Sequence, residues 1–146
     1  MTQRTVYQSM PRRLLVSLPP GASVHEAACV MTRANCGSVL VVGAGTQLLG
    51  IVTERDLMTR VVAKAVDPSK TTLAGVMTPN PRCIGPNTKV EDAVLIMLER
   101  GFRHLPVVGE GNTLLGVFSA RDAMPREIGA AVSLAEFNEQ VNDSLG

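Results

Sequence analysis

The stretch Leu48-Leu49-Gly50-Ile51-Val52-Thr53-Glu54-Arg55-Asp56 returns 66 residues later as Leu114-Leu115-Gly116-Val117-Phe118-Ser119-Ala120-Arg121-Asp122. Sliding one half over the other at that offset needs no gap. It also aligns Pro20 with Pro86, Val24 with Val90, Ala27 with Ala93, Met31 with Met97, and Val41-Val42-Gly43 with Val107-Val108-Gly109. A fixed long period marks one supersecondary unit used twice, where neither copy buries its apolar face alone. Function is therefore expected where the two copies meet.

At 146 residues the chain is long enough for two small, intimately packed units with a real core. Hydrophobic residues at 45% against 18% charged argue for a globular protein over a disordered one. Aromatics make up 3% with no Trp, which disfavours the stacking platforms that hold single-stranded nucleic acid. Net charge is +1 and Arg12-Arg13 is the single adjacent basic pair, so no nucleic-acid footprint is expected. The odd set Cys29, Cys36 and Cys83 has no C-x-x-C spacing, so reduced thiols, no metal site and a cytoplasmic location are expected. No signal peptide is legible in residues 1–13, and no run approaches the roughly 18 apolar residues of a membrane span.

Residues 14–18, closed by Pro19-Pro20-Gly21, read as a strand and turn. A helix follows from Ser23, with Glu26 at capping-box spacing and Val24, Ala27, Ala28 and Met31 as its apolar stripe. Residues 38–42 and 48–52 read as strands around a Gly43-Ala44-Gly45 turn, and Thr53 opens a helix to about residue 65. The second copy repeats the order: strand 82–84, helix from Thr88 with Glu91 at cap spacing, strands 105–108 and 114–118, and a helix from Ser119. Pro125 falls near the sixth position of that helix and predicts a short or kinked one. Ser133 and Glu136 are expected to cap a terminal amphipathic helix whose apolar face carries Leu134, Phe137, Val141 and Leu145.

The pattern divides the chain into an extension (1–13), a first unit (14–66), a linker (67–75), a second unit (76–130) and a C-terminal helix (131–146). The fold class is α/β (α+β), with two β-α-β-β-α units packed sheet to sheet about a pseudo-two-fold axis.

Each copy ends in Gly, two apolar residues, Thr or Ser, two residues, then Asp. With Val76-Met77-Thr78-Pro79 and Arg103-His104-Leu105-Pro106-Val107-Val108, this resembles a tandem pair of cystathionine β-synthase (CBS) domains, a Bateman module, over about residues 10–128. The resemblance implies regulation by ligand rather than catalysis. It further implies two clefts between the copies for adenosine compounds, AMP foremost and ADP, ATP, NAD or S-adenosylmethionine besides, and a disc-like homodimer. No catalytic cofactor is implied.

The residues fit such a ligand. Asp122 and Asp56 can accept hydrogen bonds from ribose hydroxyls through both carboxylate oxygens. Ser119 and Thr53 set a hydroxyl beside unpaired backbone N–H groups that favour phosphate. Arg103 and His104 could neutralise a phosphate; Arg55 and Arg121 could do so too or pair with acids. By the resemblance, adenine would lie near Cys83 and Ile84 and against Leu105 and Pro106. The first copy has Gly37, Ser38 and Leu40 where the second has Arg103, His104 and Pro106, so Ser38 is its counterpart and the Asp122 site is expected to be the stronger. A Thr-x-x-Asp or Ser-x-x-Asp at a strand-to-helix junction is equally an N-cap with its first-turn acid, needing no ligand.

No G-x-S-x-G, H-E-x-x-H or Gly-Lys-Ser/Thr phosphate loop is present, which leaves an enzyme unsupported. The expectation is a sensor module acting on a protein partner in trans; the alternative is a structural dimerisation module with empty clefts. The terminal helix from Ser133 is the candidate for dimer or partner contacts.

Overall fold

A computed structural model describes residues 3–10 and 15–145. Its helices are α1 (Val6–Ser9), α2 (Val24–Ala34), α3 (Glu54–Leu57), α4 (Leu73–Val76), α5 (Val90–Arg100) and α6 (Pro125–Leu145). Its strands are β1 (Ser17–Leu18), β2 (Ser38–Val42), β3 (Leu48–Thr53), β4 (Thr78–Pro79), β5 (His104–Val108) and β6 (Leu114–Ser119).

The β-branched run of β2 pairs antiparallel with β3, Ser38 opposite Thr53 and Leu40 opposite Ile51, and β1 joins it in parallel to make the order β1-β2-β3-β4. The hairpin β5-β6 repeats this register, His104 opposite Ser119 and Pro106 opposite Val117, with a shift at Val107/Val108 matching the one at Val41/Val42. Even the turns agree. Gly45 (φ 67°, ψ 24°) and Gly111 (φ 65°, ψ 24°) take the same left-handed conformation, which glycine adopts without a Cβ penalty.

Two expectations about the strands shift. The strand expected at 82–84 shrinks to a single parallel bridge from Ile84 to Val107, hemmed by Pro81 and Pro86, which cannot donate to a ladder. The first strand retains Ser17–Leu18, while residue 14 lies outside the described residues.

Helix ends differ between the copies. In α2 Ser23 Oγ accepts the Glu26 N–H at 3.0 Å, as expected, and Asn35 closes the helix in the left-handed region. In α5 the N-cap is Lys89, not Thr88, and it offers no side-chain bond. The Arg4 carbonyl instead accepts the Val90 N–H at 3.0 Å, so a distant backbone replaces the cap.

That contact belongs to an exchange of segments. Thr5 bridges Lys89, and fully buried Val6 joins the second copy's core with Val90, Leu105 and Phe118. Symmetrically, Thr72 bridges Ser23, and Leu73 and Val76 join the first copy's core with Val39 and Val52. Met77 lies over Gly50 and Met10 over Gly116, so Thr5 to Met10 and Thr72 to Met77 are themselves a repeated element. The chain order of each unit thus begins ahead of its first strand.

The end of the second copy corrects the reading of two separate helices. Ser119 opens only a 3₁₀ turn (Ala120–Asp122), and Pro125 then begins the continuous 21-residue α6. Proline fits the first helical position, where its missing N–H costs no bond. Ser133 is mid-helix. Among its described side chains Glu127 and Ala131 are the buried ones of α6, and it packs along α5, while Leu134, Phe137 and Val141 are exposed and the side chain of Leu145 lies outside the described ones.

Glu127 Oε1 lies 2.7 Å from Arg4 Nη2 and also accepts the Met124 N–H at 2.8 Å, fastening the N-terminal segment to the start of α6. The Arg4 hydrogen bond is the main cause holding the Glu127 carboxyl below its usual range. Charge-assisted bonds at such a part-buried pair contribute about 2 kcal/mol. Because the folded pKa is depressed, this contribution is present above the unfolded carboxylate pKa and fades as pH falls through the folded value. Glu127→Gln is therefore expected to lower stability by about 2 kcal/mol at pH 7 and by progressively less under acid, read by urea melts at pH 7 and pH 3.

Candidate functional site

Two clefts form between the copies, and the pseudo-two-fold relates them. In the first, residues 15, 16 and 35–38 of the leading copy face Val117, Ser119, Arg121 and Asp122 of the other, around a cavity of about 180 Å³. In the second, Pro81, Arg82 and residues 100–104 face Ile51, Thr53, Arg55 and Asp56, around a cavity of about 560 Å³. Each cleft joins the hydroxyl–carboxylate turn of one copy to the edge of the central strand of the other. Within each copy β3 and β6 deliver Thr53 and Ser119 at strand ends opposite Ser38 and His104.

At the Asp56 turn, Oδ2 accepts the Thr53 N–H at 2.9 Å and the Thr53 hydroxyl at 3.1 Å, and Oδ1 lies 3.7 Å from Arg60 Nε. Asp56 is 8% exposed. At the Asp122 turn, Oδ2 accepts the Ser119 N–H at 3.1 Å, and Ser119 Oγ accepts the Arg121 N–H at 3.3 Å. Both acids therefore serve as capping-box partners with one oxygen. After Asp56 the helix passes into a π-helical turn, Met58–Val62, which turns Met58 into the cleft mouth and Arg60 onto the Val76 and Met77 carbonyls at 3.0 and 3.1 Å.

His104 lines both clefts. Its Nε2 and the Glu54 Oε1 both lie 3.0 Å from where a Cβ on Gly37 would sit, so glycine there is what lets the two side chains approach the axis. Burial is the largest influence and lowers the His104 pKa, with Glu54 opposing it; Arg121 and Arg103 lower it further and Asp122 raises it. The imidazole is thus held toward its neutral form.

The cleft of Asp122 gathers Ser119, Arg121, His104 and Ser38, as the sequence grouped them in part. Arg103, which the sequence assigned to Asp122, lines the Asp56 cleft together with Thr53 and Arg55. Four named residues line neither cleft. Leu105 and Pro106 are fully buried, Ile84 is in the second core, and Cys83 donates its thiol to the Pro81 carbonyl at 3.4 Å, with burial raising its pKa. Sequence reasoning passed over Glu54, Arg82, Arg100 and Phe102, which line the larger cleft. Their signal was the inequality of the copies: the aligned residues are Ala120, Val16, Ala34 and Cys36.

Among the described residues no three His, Cys, Asp or Glu side chains cluster as a metal site, and no helix is long and apolar enough to cross a membrane.

The profile of the CBS domain matches residues 8–63 and 73–126. The chain is 35% identical over 103 residues to an uncharacterised 17.7 kDa protein of Acidianus ambivalens, covering 70% of this chain and 61% of that one. It is 41% identical over 101 residues to the meiotically up-regulated gene 70 protein of Schizosaccharomyces pombe, covering 65% of this chain but 14% of that protein. Less than two thirds of either relative is therefore spanned. A CBS domain protein of Pyrobaculum aerophilum, solved in complex with AMP, superposes with a TM-score of 0.77 at 25% identity, over 90% of this chain and 100% of that one. Two profile matches in tandem, on a duplicated fold with paired clefts between its halves, place this chain in the CBS-domain family as a CBS pair.

Proposed function

We propose that this protein is a non-catalytic, cytoplasmic sensor module that binds adenosine nucleotides in the clefts between its CBS domains and signals occupancy by changing its packing against a partner. The observation that carries the reading is the paired arrangement itself: in both clefts an acid and a hydroxyl from one copy meet the central strand of the other. Ligand bridging two units that otherwise meet across a cavity binds one arrangement of them better than another, and that difference is the signal. The AMP complex of the Pyrobaculum protein supports adenosine as the ligand class.

In this reading Asp56 and Asp122 keep Oδ2 in the cap and offer Oδ1 to ribose, Asp56 giving up its 3.7 Å contact with Arg60 to do so. Thr53, Ser119 and Ser38 supply hydroxyls, and Arg55, Arg103, Arg121 and His104 meet the phosphate end. Two copies associate as a homodimer through their helical faces. A second reading, a dimerisation module with empty clefts, draws on the capping bonds, which satisfy one oxygen of each acid without any ligand.

The test is a thermal unfolding series with AMP, ADP, ATP, NAD and S-adenosylmethionine. Ligand at about 100 times its Kd stabilises by roughly 2.7 kcal/mol, which for a chain of this size raises Tm by about 5–10 °C. The Asp56→Ala/Asp122→Ala double variant, which loses about 1 kcal/mol per cap, is expected to lose that rise. Silence from the wild-type protein toward all five ligands would favour the empty module.

A further inference from the structure

The phosphate end of a nucleotide is what distinguishes AMP from ATP, and the two clefts differ there. Arg55, Arg82, Arg100 and Arg103 all line the Asp56 cleft. None of the four has a carboxylate within 4.0 Å among the described residues; the ion pairs there are Arg4 with Glu127 and Arg60 with Asp56. Against them stand the carboxylates of Glu54 and Asp56, and Asp56 already has Arg60 as its partner. Four arginines around one cavity repel one another unless an anion of comparable charge lies among them, and each guanidinium offers a fork suited to phosphate oxygens. A monophosphate brings a charge of only about −1.5 to −2 against their four positive charges.

The rest of the same cavity fits the rest of a nucleotide. Ile51, Met58, Pro81 and Phe102 give it an apolar wall, with Phe102 the aromatic face. At about 560 Å³ it has room for base, ribose and several phosphates, within the usual range of ligand pockets. The Asp122 cavity is about 180 Å³, and among the described residues Arg121 is the single arginine lining it.

We propose that the Asp56 cleft is a nucleoside triphosphate site, selecting ATP-class ligands over monophosphates through Arg55, Arg82, Arg100 and Arg103. This deepens the nucleotide reading above and rests on it. The cleft preference reverses the order expected from sequence, which favoured Asp122 on the strength of the basic pair Arg103 and His104; Arg103 lines the Asp56 cleft and His104 lines both.

Calorimetric titration of the full chain carrying Asp122→Ala isolates this cleft. ATP is expected to bind at least about tenfold more tightly than AMP, since one charge-assisted contact alone is worth about that factor. Adding Arg100→Gln and Arg103→Gln should bring the ATP-to-AMP ratio down to about threefold or less, and raising salt should weaken ATP more steeply than AMP. If circular dichroism shows Asp122→Ala to be unfolded, Asp122→Asn, which keeps the shape of the cap, takes its place. Equal or tighter AMP binding overturns the proposal, as does a variant that binds nothing while wild type binds; both leave the nucleotide reading standing. Absence of binding by wild-type protein overturns the two together.

Discussion

Phe118→Ala is expected to cost about 3–5 kcal/mol, a large part of the 5–15 kcal/mol that holds a domain of ordinary stability. Phe118 is fully buried and is the largest such side chain among the described residues. It sits on β6 opposite Leu105, with Val6, Val90 and Met97 in the same cluster. Removing the ring loses its transfer energy and leaves a cavity among elements from three parts of the chain, which have little freedom to collapse together. Phe118 also immediately precedes Ser119, so the same cavity loosens the turn that carries Asp122. Urea denaturation should show a lower midpoint with little change in slope. A loss below about 1 kcal/mol would mean that β5 and β6 repack around the gap.

Gly50→Val is the second large effect, and it reaches the other cleft. A Cβ on Gly50 would stand 2.6 Å from Met77 Sδ and 2.8 Å from the Thr78 carbonyl oxygen. Methionine can move aside, but the carbonyl is backbone of β4, hydrogen-bonded into the same sheet. Overpacking of this kind costs about 1–3 kcal/mol or more. The strand must shift, and with it Thr78, which lines the Asp56 cavity, and the Met77 carbonyl that anchors Arg60. The expected result is a Tm several degrees lower together with loss of any ATP-induced stabilisation in the Asp122→Ala background. Retained ATP response there would show that β4 can move without disturbing the cleft.

Together these sites explain how one duplicated unit yields two unequal pockets. The hairpins, turns and capping acids superpose across the repeats, because the same local sequence faces the same backbone task in each. The cleft walls come from residues the duplication did not preserve: Arg82, Arg100, Phe102 and Arg103 have Val16, Ala34, Cys36 and Gly37 as counterparts. A shared frame with divergent lining gives related sites of different chemistry.

The sequence by itself determined the duplication, the family, the β2-β3 and β5-β6 hairpins and the two hydroxyl–carboxylate turns. These follow from local pattern: β-branched runs bounded by glycine turns, and Thr or Ser three residues ahead of Asp. Only the tertiary structure decided what depends on distant partners. Residues 4–6 replace the cap of α5 because Arg4 has a carbonyl where Lys89 has no capping side chain. Pro125 begins a helix rather than kinking one, because the 3₁₀ turn after Ser119 ends before it. Arg103 faces Asp56 rather than Asp122, since the pseudo-two-fold sets the central strand of each copy against the turn of the other. Local hydrogen bonding and periodicity are written along the chain; which copy supplies the wall of which cleft is fixed by how two apolar faces pack, and that packing has no local signature.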